Sequence, residues 1–323
     1  MPGEMMTKIT PLESWAGTRI GTGPGALSAE DLAMYQLMKL RETVKSASEN
    51  STFYRDNLKK YQPADISSYS EFADLPFTTE ADIRDQGLKM LCVSRDEIHR
   101  VVTLDSSGTT GNPKRIYFTE DDQELTVDFF MHGMATFTAP GDRVMILLPC
   151  ERPGSVGDLL AKALERLGAS PVRYGIVKNI PDTLRVISGT GANIIAGIPV
   201  QVLALAVFHE QNPVQGIGIE RILLTTDNVP CSVATELNRV FRSEIFNHYG
   251  MTEMGLGGGV DCCCHGGYHL READLYFEII DPDTGEPVKN GDTGEVVFTT
   301  LTRRGMPLIR YRTGDMSRFI PGN

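Results

Sequence analysis

The stretch RVMILLPCERPGSVGDLLAKALERLGAS, residues 143–170, holds a complete strand-to-helix unit. Its first seven residues form a short apolar run, which is typical of a strand buried in a parallel sheet. The segment GDLLAKALERLG follows with apolar residues at helical spacing, and it ends on Gly168, a residue type that often terminates helices. The stretch therefore predicts a strand followed by an amphipathic helix.

The same alternation recurs downstream of this stretch. ANIIAGIP (192–199) and IERILLTT (219–226) predict two more buried strands, and each is followed by a segment with helical periodicity, PVQVLALAVFHEQ and CSVATELNRVFR. Strands that alternate with helices predict an α/β fold whose mainly parallel sheet is flanked by helices.

The two ends of the chain have different sequence patterns from this alternation of strands and helices. The first hundred residues predict helices, among them one that starts at Ser28 with Asp31 three residues on, a spacing typical of a capping box. LYFEIIDPDTGEPVKNGDTGEVVFTTLT (275–302) predicts an antiparallel hairpin or a small barrel. We therefore expect three regions: a helical region over 1–100, an α/β core over 101–255 and a β-rich region over 256–323.

The composition is that of an ordinary globular chain, with 323 residues, 41% hydrophobic and 23% charged. A formal net charge of −11 argues against general nucleic-acid binding, which usually needs a basic face. Neither an apolar run of membrane-spanning length nor a signal-peptide core stands out, so we expect a cytoplasmic protein that does not bind membranes. Three of the six cysteines are consecutive, which favours free thiols or metal ligands over disulfides.

The segment DSSGTTGNPK, residues 105–114, is a loop of small residues after the apolar run RVVTL. Glycine and small hydroxyl residues leave backbone N–H groups accessible to an anion, and the lysine adds positive charge. The spacing is not that of a Walker A loop, because Pro113 precedes Lys114 and no hydroxyl residue follows. The loop is either a phosphate cover that joins two strands or an ordinary glycine-rich turn.

Two further motifs favour the phosphate cover. FNHYGMTEMG (246–255) offers a tyrosine that can stack on a purine, a threonine that can donate to a phosphate and a glutamate that can hold Mg²⁺. IRYRTGD (309–315) ends in an aspartate that could bind both hydroxyls of a ribose. In this order and at these spacings, the three motifs indicate a nucleotide site.

Together, SSGTTGNPK, YGMTE and YRTGD resemble the nucleotide-binding motifs of the adenylate-forming (AMP-binding) superfamily of acyl- and aryl-CoA synthetases, luciferases and peptide-synthetase adenylation domains. Within this superfamily, four longer stretches resemble the phenylacetate-CoA ligase branch: NSTFYRDNL, PFTTEADIRD, GYHLREADLYFEIIDPDTGE and FTTLTRRGMPLIRYRTGD. The resemblance covers almost the whole chain. It implies the fold of the superfamily's large N-terminal domain, with helix-flanked, mainly parallel sheets and a small antiparallel barrel-like region.

The resemblance also implies a two-step ligase reaction. A carboxylate attacks the α-phosphate of ATP to give an acyl-adenylate and pyrophosphate, and the thiol of coenzyme A then displaces AMP. Mg²⁺ and preorganised donors stabilise the charge at phosphorus, so no side chain need act as the nucleophile. The expected partners are a small aryl or acyl acid, ATP and coenzyme A, and relatives suggest a homodimer. The sequence does not specify the acid.

Motif matching carries the family's roles onto this chain. The β- and γ-phosphates would be covered by Ser106, Ser107, Gly108, Thr109, Thr110, Gly111 and Lys114. Tyr249 would pack on the adenine, with Gly250 in the same cofactor-binding motif, Thr252 would contact the α-phosphate, Glu253 would ligate Mg²⁺ and Asp315 would bind the ribose. Thr252, Glu253 and Lys114 are the candidate catalytic residues.

Two features depart from the superfamily pattern. Its usual Gly-Ala/Ser-Glu-Pro stretch near the adenine is replaced by TTDNVP, so Asp227 and Asn228 would take over that role. We expect that the mobile C-terminal domain, which carries the adenylating lysine in this superfamily, is missing, because the chain ends as if cut. We therefore expect the large domain of a ligase with impaired activity. The alternative is a nucleotide-binding module that is inactive or needs a partner to supply the lysine.

Several cysteines and histidines keep two interpretations. In DCCCHGGYH (261–269), Cys262 and His269 have side chains that suit zinc, and in this branch a later C-x-C pair often completes such a site. Cys263, Cys264 or His265 could substitute for that pair, and unliganded thiols are the other interpretation. His132 either lines the acid pocket, which we expect near the helices around 130–137 and 195–200, or is a core histidine. For His248 we favour a supporting structural role beside the nucleotide motif.

Overall fold

The structure is a computed structural model that describes residues 10–23, 27–104 and 113–320. In these ranges the α-helices are α1 Pro11–Ile20, α2 Ala29–Asn50, α3 Thr52–Asn57, α4 Tyr69–Ala73, α5 Glu80–Gln86, α6 Glu120–Met134, α7 Val156–Leu167, α8 Ile180–Thr190, α9 Pro199–Gln211 and α10 Cys231–Phe241. The strands are β1 Arg100–Leu104, β2 Lys114–Phe118, β3 Arg143–Leu147, β4 Ser170–Arg173, β5 Ile194–Gly197, β6 Arg221–Leu224, β7 Glu244–Tyr249, β8 Gly259–Val260, β9 His269–Leu270, β10 Leu275–Ile280, β11 Gly294–Thr300 and β12 Tyr311–Ser317.

The chain divides into two compact units. Of the described residues, the first unit contains 10–15, 123–251 and 255–270. The second unit contains 16–23, 27–104, 113–122, 252–254 and 271–320.

A seven-stranded sheet in the order β4-β3-β5-β6-β7-β8-β9 organises the first unit. The strands from β4 to β7 are parallel, and β8 and β9 extend the sheet with antiparallel pairing. The central strands are buried because they are almost entirely apolar: Met145, Ile195 and Ile222 are each fully buried in one core with residues of α8, α9 and α10. The predicted parallel α/β sheet is confirmed.

The second unit combines helices with two antiparallel sheets. Ser28 and Asp31 form the predicted capping box at the start of α2, in which the Ser28 hydroxyl accepts from the Asp31 N–H. β10, β11 and β12 form a three-stranded antiparallel sheet, which confirms the predicted hairpin. β1 and β2 pair in antiparallel fashion from Arg100 opposite Phe118 to Leu104 opposite Lys114. The glycine-rich loop therefore joins two strands, as predicted.

A buried arginine anchors the segment that leads into β12. Arg310 is 2% exposed, and its guanidinium pairs with Glu278 of β10 at 3.0 Å and donates to the Leu75 carbonyl at 2.6 Å. The same guanidinium lies 4.1 Å from the centre of the Phe77 ring. Burial raises the pKa of Glu278, and the charge of Arg310 opposes that shift. Arg310, the first of the two arginines in the motif IRYRTGD, is thus a structural anchor.

Candidate functional site

Two of the predicted catalytic residues meet in the second unit. Lys114 opens β2, and Glu253 lies in a single 3₁₀ turn, Thr252–Met254. The Lys114 Nζ is 2.5 Å from the Glu253 Oε1, and the two side chains are only 14% and 4% exposed. The Glu80 carboxylate of α5 lies 3.6 Å from the same Nζ. Folding therefore joins two motifs that are far apart in the sequence.

Tyr311, at the start of β12, is a residue of this cluster that the sequence did not single out. Its hydroxyl donates to the Glu253 Oε1 over 3.4 Å. Burial raises the pKa of Tyr311, and the carboxylates of Glu253 and Glu80 raise it further. The tyrosine therefore stays protonated and acts as a donor. Its position inside the motif YRTGD was the available signal.

The remaining predicted residues of the second unit differ in how far the structure describes them. Thr252 is half-buried in the same turn as Glu253, and Asp315 lies on the exposed part of β12, where its N–H donates to the Thr313 Oγ1 at 3.0 Å. Six predicted phosphate-loop residues lie outside the described residues: Ser106, Ser107, Gly108, Thr109, Thr110 and Gly111.

In the first unit, predicted nucleotide-binding residues lie at the ends of two neighbouring strands of the parallel sheet. Asp227 and Asn228 follow β6, and Tyr249 ends the neighbouring strand β7. Because β6 and β7 are parallel, these residues lie at the carboxyl edge of the sheet, where open α/β sheets bind ligands. Asn228 donates its N–H to the Asp227 carboxylate at 2.8 Å, and both side chains are exposed. The sequence did not single out Thr226, whose φ of +75° is strained for a β-branched residue.

Gly250 follows Tyr249 at a point where two segments of backbone approach each other closely. A Cβ on this residue would lie 2.6 Å from the Leu256 carbonyl oxygen, a backbone atom that cannot swing away. The glycine of YGMTE is therefore required by close packing of the chain. The Tyr249 ring lies 5.9 Å from that of Tyr268, at an angle of 39°.

His248 lines a small cavity in the first unit, together with Thr225 of the loop after β6. The His248 Nδ1 and the Thr225 Oγ1 are 2.8 Å apart. The rings of Phe129 and Phe130 on α6 lie against the imidazole. His132, one turn along from these rings, instead stacks on Trp15, with ring centres 6.0 Å apart.

The chain as a whole matches a known family over most of its length. Residues 29–301 fit the family model of AMP-binding enzymes. The chain belongs to this family.

Individual relatives agree with this assignment. The AMP-binding enzyme is 31% identical to a phenylacetate-coenzyme A ligase of Pseudomonas putida, over 91% of this chain and 68% of that protein. It is 32% identical, over the same shares, to the ligase of that name from Aromatoleum evansii. A 2-hydroxyisobutyryl-CoA ligase crystallised in an open conformation with 2-HIB-AMP and CoA has the same fold, with a TM-score of 0.82 at 20% identity over 90% of this chain and 71% of that one.

The predicted zinc ligands of this AMP-binding enzyme are in contact. Cys262, which is buried, hydrogen-bonds to His269, whose Nδ1 also lies 3.0 Å from the Glu13 Oε1. The bond to Glu13 is the largest cause of a His269 pKa raised to about 9. All six cysteines are free. In the part of the chain that the structure describes, no three His, Cys, Asp or Glu side chains are arranged to hold a metal ion.

None of the described helices combines the length and the apolar character that crossing a bilayer would require.

Proposed function

We propose that this AMP-binding enzyme is an ATP-dependent, AMP-forming acid–CoA ligase, as the names of its phenylacetate-coenzyme A ligase relatives suggest. It activates a small carboxylic acid as the acyl-adenylate and transfers the acyl group to the thiol of coenzyme A. The observation that carries the proposal is the buried contact between Lys114 and Glu253, because it unites two nucleotide motifs in one cluster.

The electrostatics of that cluster suit a triphosphate. Glu253 offers a buried carboxylate, the kind of oxygen ligand that Mg²⁺ prefers, and Lys114 and Tyr311 hold that carboxylate in place. We propose that Glu253 holds Mg²⁺, which when bound neutralises phosphate charge. Lys114 supplies a second positive charge, and Thr252 supplies a hydroxyl for the α-phosphate.

The adenosine end of the nucleotide is assigned to exposed and half-buried groups. We propose that Tyr249 and Gly250 contact the adenine, with Asp227 and Asn228 beside them at the same sheet edge, and that Asp315 binds the ribose hydroxyls. The six residues 106–111 are proposed to cover the β- and γ-phosphates, since β1 and β2 hold the two ends of that loop together.

Zinc binding is a separate proposal. Cys262 and His269 have the donor chemistry of a zinc site and lie within hydrogen-bond distance, so we propose that they supply two of its ligands. Elemental analysis of the purified protein measures this directly, and a metal-free protein would contradict it.

We also propose that the protein is a cytoplasmic homodimer. Six free cysteines suit a reducing compartment. Analytical ultracentrifugation tests the dimer, which a monomeric mass at micromolar concentrations would contradict.

Calorimetric titration with AMP and with ATP·Mg²⁺ tests the nucleotide site. The chain should bind AMP, and Asp315→Ala should weaken binding at least tenfold, or about 1.4 kcal/mol, because it removes charged hydrogen bonds to the ribose. Asp292→Ala, which changes an exposed carboxylate in the turn between β10 and β11, is the matched control and should bind like the parent. Equal AMP affinities for both variants would contradict the assignment of Asp315.

A further inference from the structure

The small cavity beside His248 has almost entirely apolar walls. Phe129 and Phe130 of α6, Leu160 of α7 and Leu223 of β6 are among its lining residues. Its volume is about 30 Å³, space for one or two water molecules or for the tip of an organic ligand.

One polar atom of a residue that lines the cavity lacks a partner. The His248 Nε2 is buried, and among the described residues no group hydrogen-bonds to it. Burial lowers the pKa of His248 to about 4, so the imidazole is neutral at physiological pH. A buried polar group without a partner destabilises the folded state, because it has lost its hydrogen bonds to water. A ligand that supplied the missing partner would remove that destabilisation on binding.

Thr225 decides whether Nε2 donates or accepts. The Thr225 side chain is buried, and the His248 Nδ1, at 2.8 Å, is the acceptor available to its hydroxyl proton among the described residues. A neutral imidazole carries its single proton on the other nitrogen when Nδ1 accepts. Nε2 is therefore a donor, and the complementary ligand atom is an acceptor such as an oxygen.

The position of the cavity in the sheet indicates which ligand would reach it. His248 immediately precedes Tyr249, the residue assigned to the adenine, and Thr225 precedes the loop of Asp227 and Asn228. The cavity thus borders the carboxyl edge of the sheet, next to where an acyl-adenylate would lie. It is too small and too apolar for a second nucleotide group.

We propose that the acid activated by this enzyme has an apolar tail whose tip enters this cavity and carries one oxygen, and that this oxygen accepts a hydrogen bond from the His248 Nε2. The proposal rests on the ligase function proposed above and defines its substrate class. His248 is then a specificity residue, and Thr225 is the positioning residue that fixes its tautomer. The structural role that the sequence favoured for His248 stays a prediction, and the proposal adds a role in substrate choice.

Isosteric pairs of acids test this proposal. Each acid is attached to adenosine through a non-hydrolysable sulfamate, which gives a stable mimic of the acyl-adenylate. The aliphatic pair is methoxyacetate and butanoate, and the aryl pair is 4-methoxybenzoate and 4-ethylbenzoate, so that each pair differs by an oxygen in place of a methylene. Calorimetry on the full chain measures all four affinities, with AMP as the reference ligand.

In at least one pair, the oxygen-bearing mimic should bind about tenfold more tightly than its hydrocarbon partner. His248→Phe should remove that preference and leave AMP binding unchanged. Thr225→Val should reduce the preference, because it frees the imidazole to adopt the other tautomer; this variant also serves if the first one does not fold. His132→Phe, on α6 but stacked on Trp15, is the control and should keep the preference.

Three other results would each contradict one of the proposals. Equal affinity within both pairs for the parent chain would overturn the proposal, since a water molecule would then satisfy Nε2. A preference that persists in His248→Phe would also overturn it. A chain that binds no AMP would instead refute the ligase function, and the substrate class would fall with it.

Discussion

Lys114 and Glu253 place opposite charges 2.5 Å apart with little access to water. Removing one partner of such a pair leaves the other charge buried and uncompensated, which is far more costly than losing a surface ion pair. Sequence motifs predicted both residues individually. They did not predict the contact, because a motif describes a family's chemistry and not which buried charges neutralise each other.

We expect Lys114→Met to destabilise the chain by about 3 kcal/mol, measured as a lower urea midpoint. Glu80→Gln, which alters the more exposed carboxylate 3.6 Å from the same Nζ, is the control and should cost well under 1 kcal/mol. Adding Glu253→Gln to Lys114→Met should recover part of the loss, because no unpaired charge then remains. Equal midpoints for Lys114→Met and Glu80→Gln would show that the buried pair contributes nothing.

Arg310 shows that a residue inside a nucleotide motif can have a purely structural contact set. It lies inside the sequence IRYRTGD. Its guanidinium pairs with Glu278, donates to the Leu75 carbonyl and lies over the face of the Phe77 ring. Its φ of +48° places it in the left-handed region. Only burial distinguishes this arginine from one that could bind phosphate.

Helices and strands followed the sequence closely where period and caps agreed. α7 ends at Leu167 because Gly168 adopts a φ of +85°, and its N–H donates to the carbonyls of Leu164 and Glu165. The apolar runs became buried parallel strands in register with their neighbours. Among the elements that the sequence did not single out, β4 has only four residues, Ser170–Arg173, and mixed polarity.

Gly168→Ala should destabilise the chain by about 1 kcal/mol, because an L-residue resists the left-handed conformation. Its Cβ would also lie 3.3 Å from the Pro140 Cβ. Gly189→Ala, within α8 and with nothing within 4 Å of the new methyl, should stabilise the chain by about 0.5 kcal/mol. Thermal unfolding of both variants checks this; the prediction fails if the two shift the midpoint in the same direction.

The burial of His248 should make the free energy of unfolding of the whole chain depend on pH. The folded pKa of about 4 lies below the ordinary value of about 6.5 that applies when the chain is unfolded. Between these two values the unfolded chain binds a proton that the folded chain does not. This residue therefore makes stability fall as the pH is lowered from 6.5 to 4, with no further change below that.

We expect His248→Gln to show a smaller drop in melting temperature between pH 7 and pH 4.5 than the parent chain. The comparison cancels the carboxylates that titrate in both proteins. His209→Gln, on α9 and stacked on Phe241, is the control substitution. Identical pH profiles for the parent chain and His248→Gln would mean that the imidazole is not buried in solution.

The sequence by itself determined the α/β class, the parallel sheet, the antiparallel hairpin and the family, because periodicity, caps and short motifs are local properties of the chain. The two boundaries between the three predicted regions and the individual nucleotide-binding roles remain predictions. Only the tertiary structure decided that Lys114 meets Glu253, that Cys262 meets His269 and that His248 faces an apolar cavity. Such contacts depend on which distant segments folding brings together and on how much water remains around them, and neither is encoded at any single position.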